Sequence, residues 1–299
     1  MTKADDSALS EQELANVIRH AQRLLKDANA IGVFPTPIPD IMAAAKVTVL
    51  EDEVLDEAML QRLADKVRSS LQAGVNVIKS AFSKVLGLFE ARDRLVILDR
   101  QVPKARRPFV KLHEVGHGSM PHQTSMYALM HDCNQTLEDD IKDLFEREAN
   151  VFASEVMFQG DVFEEHALAS VFNLKNAMTL ATQFGASNYS TFRRYVNVNP
   201  TACCLVVVEP EALVGNGGKH VVRRVIPSKT FHLKFDSQAL AVDVGFGHPL
   251  KLLMPYGAQK MVREKSFSLR DRNGVSHTFL GETFKARQIL MLLRESKTN

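Results

Sequence analysis

The spacing of apolar residues predicts helices over much of the N-terminal half of the chain. Over residues 10–28 apolar side chains recur every three or four positions, as they do on one face of an amphipathic helix. Ser10 stands at the start of this stretch with Glu13 three residues later, which is the pattern of a capping box. The same periodicity predicts a short helix over 39–45 and a long helical stretch over 56–85.

Short β-branched and apolar runs predict a small sheet in the same region. Residues 47–50 have the composition of a strand, and residues 87–99 resemble a hairpin whose turn lies near 91–94. An edge of this sheet could hold an extended peptide by strand addition, or the hairpin could be structural support. The pattern leaves both interpretations open.

A second long amphipathic helix is predicted over residues 137–158. Its apolar stripe consists of Ile141, Leu144, Phe145, Ala149, Phe152, Ala153 and Val156. Glu146 and Asn150 lie four residues apart on one face, beside this stripe. Glu148 is turned by about 200° from Glu146, so we predict that it faces solvent.

Two shorter helices are predicted over residues 177–184 and 188–196, around a turn at Gly185. The second helix carries Arg193 and Arg194, and the arrangement is similar to a helix–turn–helix that places basic side chains in the DNA major groove. For this segment we favour packing against neighbouring helices, or docking of a protein partner, over DNA binding.

Strand patterns dominate the remainder of the chain. They cover 204–208, 221–226, 231–235, 239–244 and 251–254, with 288–293 as a strand or a short helix. A hairpin with a type I′ turn is predicted at Asn273-Gly274. The chain is therefore divided into residues 1–160, a helical segment over 161–200, and a separate strand-rich domain over 201–299.

The composition is that of an ordinary soluble globular protein. Of the 299 residues, 45% are apolar and 24% are charged, and no apolar run approaches the ~20 residues of a membrane span. The polar N-terminus lacks the apolar core of a secretory signal. The three cysteines, which include the neighbours Cys203 and Cys204, do not form a disulfide framework. We therefore expect a reducing cytoplasm and no membrane partner.

Charge is unevenly distributed along the chain. Residues 1–199 carry 22 basic against 27 acidic side chains, whereas residues 200–299 carry 15 against 8. The basic C-terminal part could meet nucleic acid or an acidic partner. A solvated basic surface is the favoured interpretation, because no aromatic–basic motif accompanies the charge.

One short motif points to metal chemistry. His113-Glu-Val-Gly-His117 has the form H-E-x-x-H, and on a helix its two histidines project from one face and can chelate a single ion. Glu114 can reach a water on the open side of that ion. Glu146 is the candidate third ligand, because a carboxylate beside a buried stripe is costly unless it is paired. The alternative is a helix that carries two surface histidines without a metal.

The segment 119–136 is polar and is predicted to be irregular. It contains Tyr127, His122 and His131, which are candidates for stabilising an oxyanion if the segment lines a cleft. Each of the three could equally be an ordinary loop residue.

These motifs resemble those of the ImmA/IrrE metallo-endopeptidases, zinc-dependent bacterial and phage proteins that cleave transcriptional repressors. The likeness is carried by residues 106–112, by His113-Glu-Val-Gly-His117, and by Glu146-Arg-Glu-Ala-Asn-Val-Phe-Ala153, which matches the family pattern E-x-E-A-N-x-F-A. It covers roughly residues 10–200. Family members often continue with an apolar run and a proline, whereas this chain continues with Ser154-Glu-Val-Met-Phe-Gln-Gly160.

The resemblance implies an α+β fold. Residues 1–160 would form a mainly helical, zincin-like metallopeptidase domain of gluzincin type, with a small β-sheet. The helical segment would follow, and then the strand-rich C-terminal α+β domain, which could be a sensor or a substrate-binding module.

The resemblance also implies one Zn²⁺ per chain, bound by His113, His117 and Glu146, with Glu114 as the general base. By the same likeness Asn150 would orient one of the histidines.

We therefore predict a cytoplasmic zinc metallo-endopeptidase that cleaves a protein substrate, which by the resemblance is a DNA-binding repressor. The alternative is a non-proteolytic transcriptional regulator that keeps the zinc fold and binds DNA or a protein, with Arg193 and Arg194 as contacts. A purely structural zinc site fits less well, because three protein ligands beside a glutamate base describe an open site.

Overall fold

The computed structural model describes residues 8–53, 87–90, 94–132, 138–212 and 219–296. They divide into two units: the described residues before Asp161 together with Phe184–Ala186, and the described residues from Asp161 onward without those three. None of the described helices combines the length and the apolar character needed to cross a bilayer. The helical stretch predicted over 56–85 lies outside the described residues, and the three-part domain division stays a prediction.

Two helices open the first unit. Helix α1 (Glu11–Asp27) begins at the predicted capping box, since the Glu13 N–H donates to the Ser10 hydroxyl and the Glu13 carboxylate accepts from the Ser10 N–H. Its buried face consists of Val17, Ala21, Leu24 and Leu25. Helix α2 (Ile38–Ala44) has a proline in its first turn, where the missing N–H would have no helical partner in any case.

Three short strands form a small mixed sheet in this unit. Strand β1 (Thr48–Glu53) runs parallel to β3 (Leu95–Asp99), whereas β2 (Gly87–Glu90) is antiparallel to β3. The β2–β3 pair confirms the predicted hairpin, and β3 is the central strand. A 3-10 turn (Lys104–Arg106) then leads into the helix that carries both histidines.

Three further helices lie in the described part of the first unit. They are α3 (Arg107–Ser119), α4 (Pro121–Asp132) and α5 (Asp139–Phe158). The irregular segment predicted over 119–136 is therefore wrong over most of its length. Pro121 cannot continue α3, but its ring is well tolerated in the first turn of a new helix, and so it begins α4.

Helices α3 and α5 approach each other closely at Gly116. A Cβ built there would lie 3.1 Å from Cδ1 of Phe152 and 3.4 Å from Cα of Ala149. Both of these α5 residues are fully buried. Helix α1 also packs along α5, so that α5 is covered by more than one helix.

The second unit is built on a five-stranded antiparallel sheet. Its strands are β4 (Cys203–Ala212), β5 (His220–Pro227), β6 (Met261–Arg270), β7 (Ser276–Lys285) and β8 (Ile289–Glu295), in the order β5-β4-β8-β7-β6. The sheet follows helices α6 (Asp161–Leu168), α7 (Leu174–Gln183) and α8 (Asn188–Val198). Together with the helices of the first unit it confirms a mixed α+β fold.

Both faces of this sheet carry buried side chains. Cys204 faces an apolar cluster that includes Phe231 and Phe279, whereas Cys203 faces the other way and its sulfur lies 3.8 Å from the carbonyl oxygen of Val196 in α8. Burial raises the pKa of Cys203 to about 12, so its thiol is inert. The two cysteines are therefore structural.

Three predicted strands of this unit are wrong. Residues 231–235 lie mostly in helix α9 (Lys229–Lys234), and 239–244 and 251–254 overlap the 3-10 turns Ser237–Leu240 and Pro249–Leu253. Phe231, Phe235, Leu240, Leu253 and Met254 belong to the buried core beside the sheet, whereas Leu233, Val242 and Leu252 are exposed. A short run of apolar residues does not distinguish a strand from a single helical turn. Residues 288–293 lie mostly in β8.

The hairpin of β6 and β7 is confirmed, but its turn is not type I′. Arg270 pairs with Ser276, and Gly274 has a φ of 81° whereas Asn273 has no positive φ. A type I′ turn needs a positive φ at both central residues. The Asp271 carboxylate instead accepts the N–H groups of Asn273 and Val275 and so stabilises a longer turn.

We expect Gly116→Val to lower the free energy of unfolding of the first unit by about 1–3 kcal/mol, because the added carbons would overpack the contact with Phe152. Gly116→Ala adds one carbon only and should have a clearly smaller effect. Thermal unfolding followed by circular dichroism measures both variants. A valine variant as stable as the wild type would show that α3 and α5 are not packed this closely.

Candidate metal centre

Three side chains from α3 and α5 converge at one point. The Nε2 atoms of His113 and His117 lie 3.2 Å apart. Nε2 of His113 lies 3.3 Å from Oε2 of Glu146, and Nε2 of His117 lies 3.4 Å from Oε1 of the same carboxylate. Both histidines are buried, whereas the Glu146 side chain is 47% exposed. The group could hold a metal ion that solvent reaches from the Glu146 side.

The spacing of these atoms suits a small metal ion. Nitrogen and oxygen ligands bind Zn²⁺ at about 2.0–2.1 Å, so two ligands of a tetrahedron are about 3.3 Å apart. The two histidine nitrogens are 3.2 Å apart, which matches this edge. Each nitrogen lies close to a different oxygen of Glu146, and ligand atoms taken one from each of the three residues all lie within 4.8 Å of one another. Two imidazole nitrogens and one carboxylate also leave a fourth position for water or substrate.

The electrostatics of the site favour a positive charge at this point. Burial lowers the pKa of His117, but the hydrogen bond with Glu146 and the charge of that carboxylate outweigh it and raise the pKa to about 9. Burial raises the pKa of Glu146, but hydrogen bonds from His113 and His117 hold it below its usual value. A divalent cation can supply this positive charge in place of a proton.

Glu114 lies on α3 beside the ligands. It is only 3% exposed, and its negative charge contributes to the raised pKa of His117. A buried carboxylate next to a metal position has the chemistry that a general base requires. Its catalytic role stays a prediction.

The structure adds Gln123 of α4 to the residues named from the sequence. Its Oε1 lies 2.7 Å from Nδ1 of His117, and its Nε2 lies 2.6 Å from Oε2 of Glu148. The residue is fully buried. No pattern in the sequence points to Gln123, because the segment that forms α4 is polar and its composition predicts irregular structure.

The prediction that Glu148 faces solvent is wrong. Its side chain is 4% exposed, and its Oε2 also lies 2.7 Å from Nε2 of His122. The single apolar stripe of α5 suggested one buried face. In the structure α1 and α3 both pack against α5, and Gln123 and His122 of α4 reach the position that the stripe assigned to solvent.

The remaining site candidates are His122, Tyr127, His131 and Asn150. His122 is linked to His117 by hydrogen bonds through Glu148 and Gln123. The backbones of Tyr127 and His131 lie in α4, but their side chains are outside the described residues, so their role as oxyanion stabilisers stays a prediction. Asn150 is half-buried one turn after Glu146, and its orienting role also stays a prediction.

Arg193 and Arg194 belong to the second unit. Both lie in α8 and are half-buried, after a turn in which Gly185 has a φ of 64°. The two predicted helices around this glycine are confirmed as α7 and α8. DNA binding by the two arginines stays a prediction.

Comparison with known proteins agrees with the resemblance. The family model Peptidase_M78, described as the IrrE N-terminal-like domain, matches residues 71–193, which include both motifs, and it supports a peptidase. This match confirms the similarity to the ImmA/IrrE proteins. No curated protein matches the chain.

Several solved structures are similar in fold to this chain. One of them is a Mycobacterium tuberculosis transcriptional regulator, with a TM-score of 0.55 and 12% sequence identity, and the match covers 94% of this chain and 76% of that one. At this identity the likeness concerns the fold alone.

We expect Glu146→Ala to lower the affinity for Zn²⁺ by more than about 100-fold, the upper range for loss of a residue that only supports a ligand. Competition with a chromogenic chelator measures this affinity. Asp143→Ala is the matched control, because Asp143 is an exposed carboxylate on the same helix and should leave the affinity unchanged. Equal affinities for the Glu146→Ala variant and the wild type would remove Glu146 from the ligand set.

Proposed function

We propose that this chain, whose residues 71–193 match the IrrE N-terminal-like domain, is a zinc-dependent endopeptidase. The observation that carries the proposal is the triangle of His113, His117 and Glu146 with Glu114 buried beside it. Two imidazoles, one carboxylate and a fourth open position are the donor set of catalytic zinc sites, whereas structural sites are closed by a fourth protein ligand.

Each residue of the site has a role in the proposed reaction. Bound between the three ligands, Zn²⁺ would lower the pKa of a coordinated water and polarise the scissile carbonyl group. Glu114 accepts the proton of the attacking water and then passes it to the leaving amide nitrogen. The half-exposed Glu146 side leaves room for a peptide to reach the centre.

The substrate we propose is a DNA-binding repressor protein. The family resemblance, in which repressor cleavage is the activity, supports this substrate, and the cytoplasm is the compartment that we propose for the reaction. The protein of similar fold is named a transcriptional regulator, which is a property of that protein.

A second candidate is a regulator that retains the metal centre but acts by binding. The α7–turn–α8 segment with Arg193 and Arg194 is the feature that favours it. Replacing both arginines by alanine should remove the function of such a regulator and leave peptide cleavage intact.

We expect Glu114→Gln to retain Zn²⁺ but to lower the rate of repressor cleavage by about 10²–10⁴-fold, the range supplied by a general base. The measurement is incubation of the zinc-loaded protein with the repressor encoded beside its gene, followed by mass spectrometry of the fragments. The control is zinc content, which should equal that of the wild type. Cleavage at the wild-type rate by the glutamine variant would contradict the proposed mechanism.

A further inference from the structure

The side chain of Gln123 has a hydrogen-bonding orientation that its neighbours determine. Its Nε2 lies 2.6 Å from the Glu148 carboxylate and 3.4 Å from the carbonyl oxygen of Phe145. A carboxylate and a carbonyl group only accept hydrogen bonds, so the NH₂ group of the amide must point toward them. The amide oxygen of Gln123 must therefore point toward His117.

This orientation in turn determines the tautomer of His117. The Gln123 oxygen lies 2.7 Å from Nδ1 of His117 and can only accept, so Nδ1 must carry the proton. In the neutral ring Nε2 then has the free lone pair. Nε2 is the atom that lies 3.2 Å from Nε2 of His113 and 3.4 Å from Glu146, at the metal position.

Glu148 and His122 continue this series of hydrogen bonds on the side of Gln123 away from His117. Oε2 of Glu148 accepts from Gln123 and also lies 2.7 Å from Nε2 of His122. A carboxylate that is only 4% exposed is costly to bury without such partners. The side chain of His122 is 37% exposed and so connects the buried chain to solvent.

We propose that Gln123 is a positioning residue of the metal centre, and that Gln123, Glu148 and His122 form a relay that holds His117 in the Nδ1–H tautomer. The proposal rests on the metal centre of the proposed function. The relay acts through His117 and touches neither metal nor substrate. Such outer partners of a ligating histidine typically change metal affinity by 10–100-fold when they are removed.

The first test replaces Gln123 by methionine, which has a similar length but cannot accept the Nδ1 proton. We expect Gln123→Met to lower the affinity for Zn²⁺ by about 10–100-fold in chelator competition. Circular dichroism of the metal-free variant shows whether it is folded. We expect it to fold, because Glu148 keeps His122 as a partner.

The second test exchanges the two polar groups in the double variant Gln123→Glu with Glu148→Gln. A carboxylate at 123 still accepts the proton on Nδ1 of His117, and the amide at 148 can donate to that carboxylate. The hydrogen bond between 123 and 148 therefore reverses its direction, while the tautomer of His117 is preserved. We expect this variant to recover most of the affinity that Gln123→Met loses. Gln123→Glu alone would place two carboxylates side by side. We expect this single variant to bind Zn²⁺ more weakly than the double variant.

A spectroscopic measurement separates the relay from a general packing effect. In zinc-loaded protein with ¹⁵N-labelled histidine, we expect one Nδ1–H signal of the ring of His117 to be protected from exchange and to be lost in Gln123→Met. Unchanged zinc affinity and an unchanged signal in this variant would overturn the relay alone. A wild-type protein without zinc affinity would overturn both the relay and the proposed peptidase.

Discussion

The candidate metal centre depends on the close approach of α3 and α5. His113 and His117 come from one helix and Glu146 from the other, and the two oxygens of Glu146 lie 3.3 and 3.4 Å from the histidine Nε2 atoms only because the two helices are in contact. Gly116 lies between the two histidines, where a larger side chain would meet Phe152. The packing of α3 against α5 therefore determines the geometry of the site.

The local part of this arrangement can be predicted from the sequence. Two histidines four residues apart on a helix share a face whatever surrounds them, because the helical repeat fixes their directions. Glu146 could be recognised because it stands beside an apolar stripe in a position where an unpaired charge would be unfavourable. The capping box at Ser10 and Glu13 is predictable for the same reason, since both partners lie within one turn.

The remaining features of the fold and the site depend on contacts between elements, and the spacing of apolar residues does not predict these contacts. Glu148 is buried because helices cover α5 on more than one side, whereas an apolar stripe reveals only the side that is lined with apolar residues. In the sequence Gln123 is an ordinary polar residue of a polar helix. Its role is visible only in the structure, where it contacts His117 on one side and Glu148 on the other. Phe231 belongs to a helical turn and not to a strand, although either would bury it in the core of the second unit.

X-ray absorption spectroscopy of the zinc-loaded protein tests the central claim most directly. The account predicts a four-coordinate ion with nitrogen and oxygen neighbours at about 2.0–2.1 Å and the multiple-scattering pattern of two imidazole rings. A sulfur shell at about 2.3 Å, or a spectrum without imidazole scattering, would contradict a centre built from His113, His117 and Glu146.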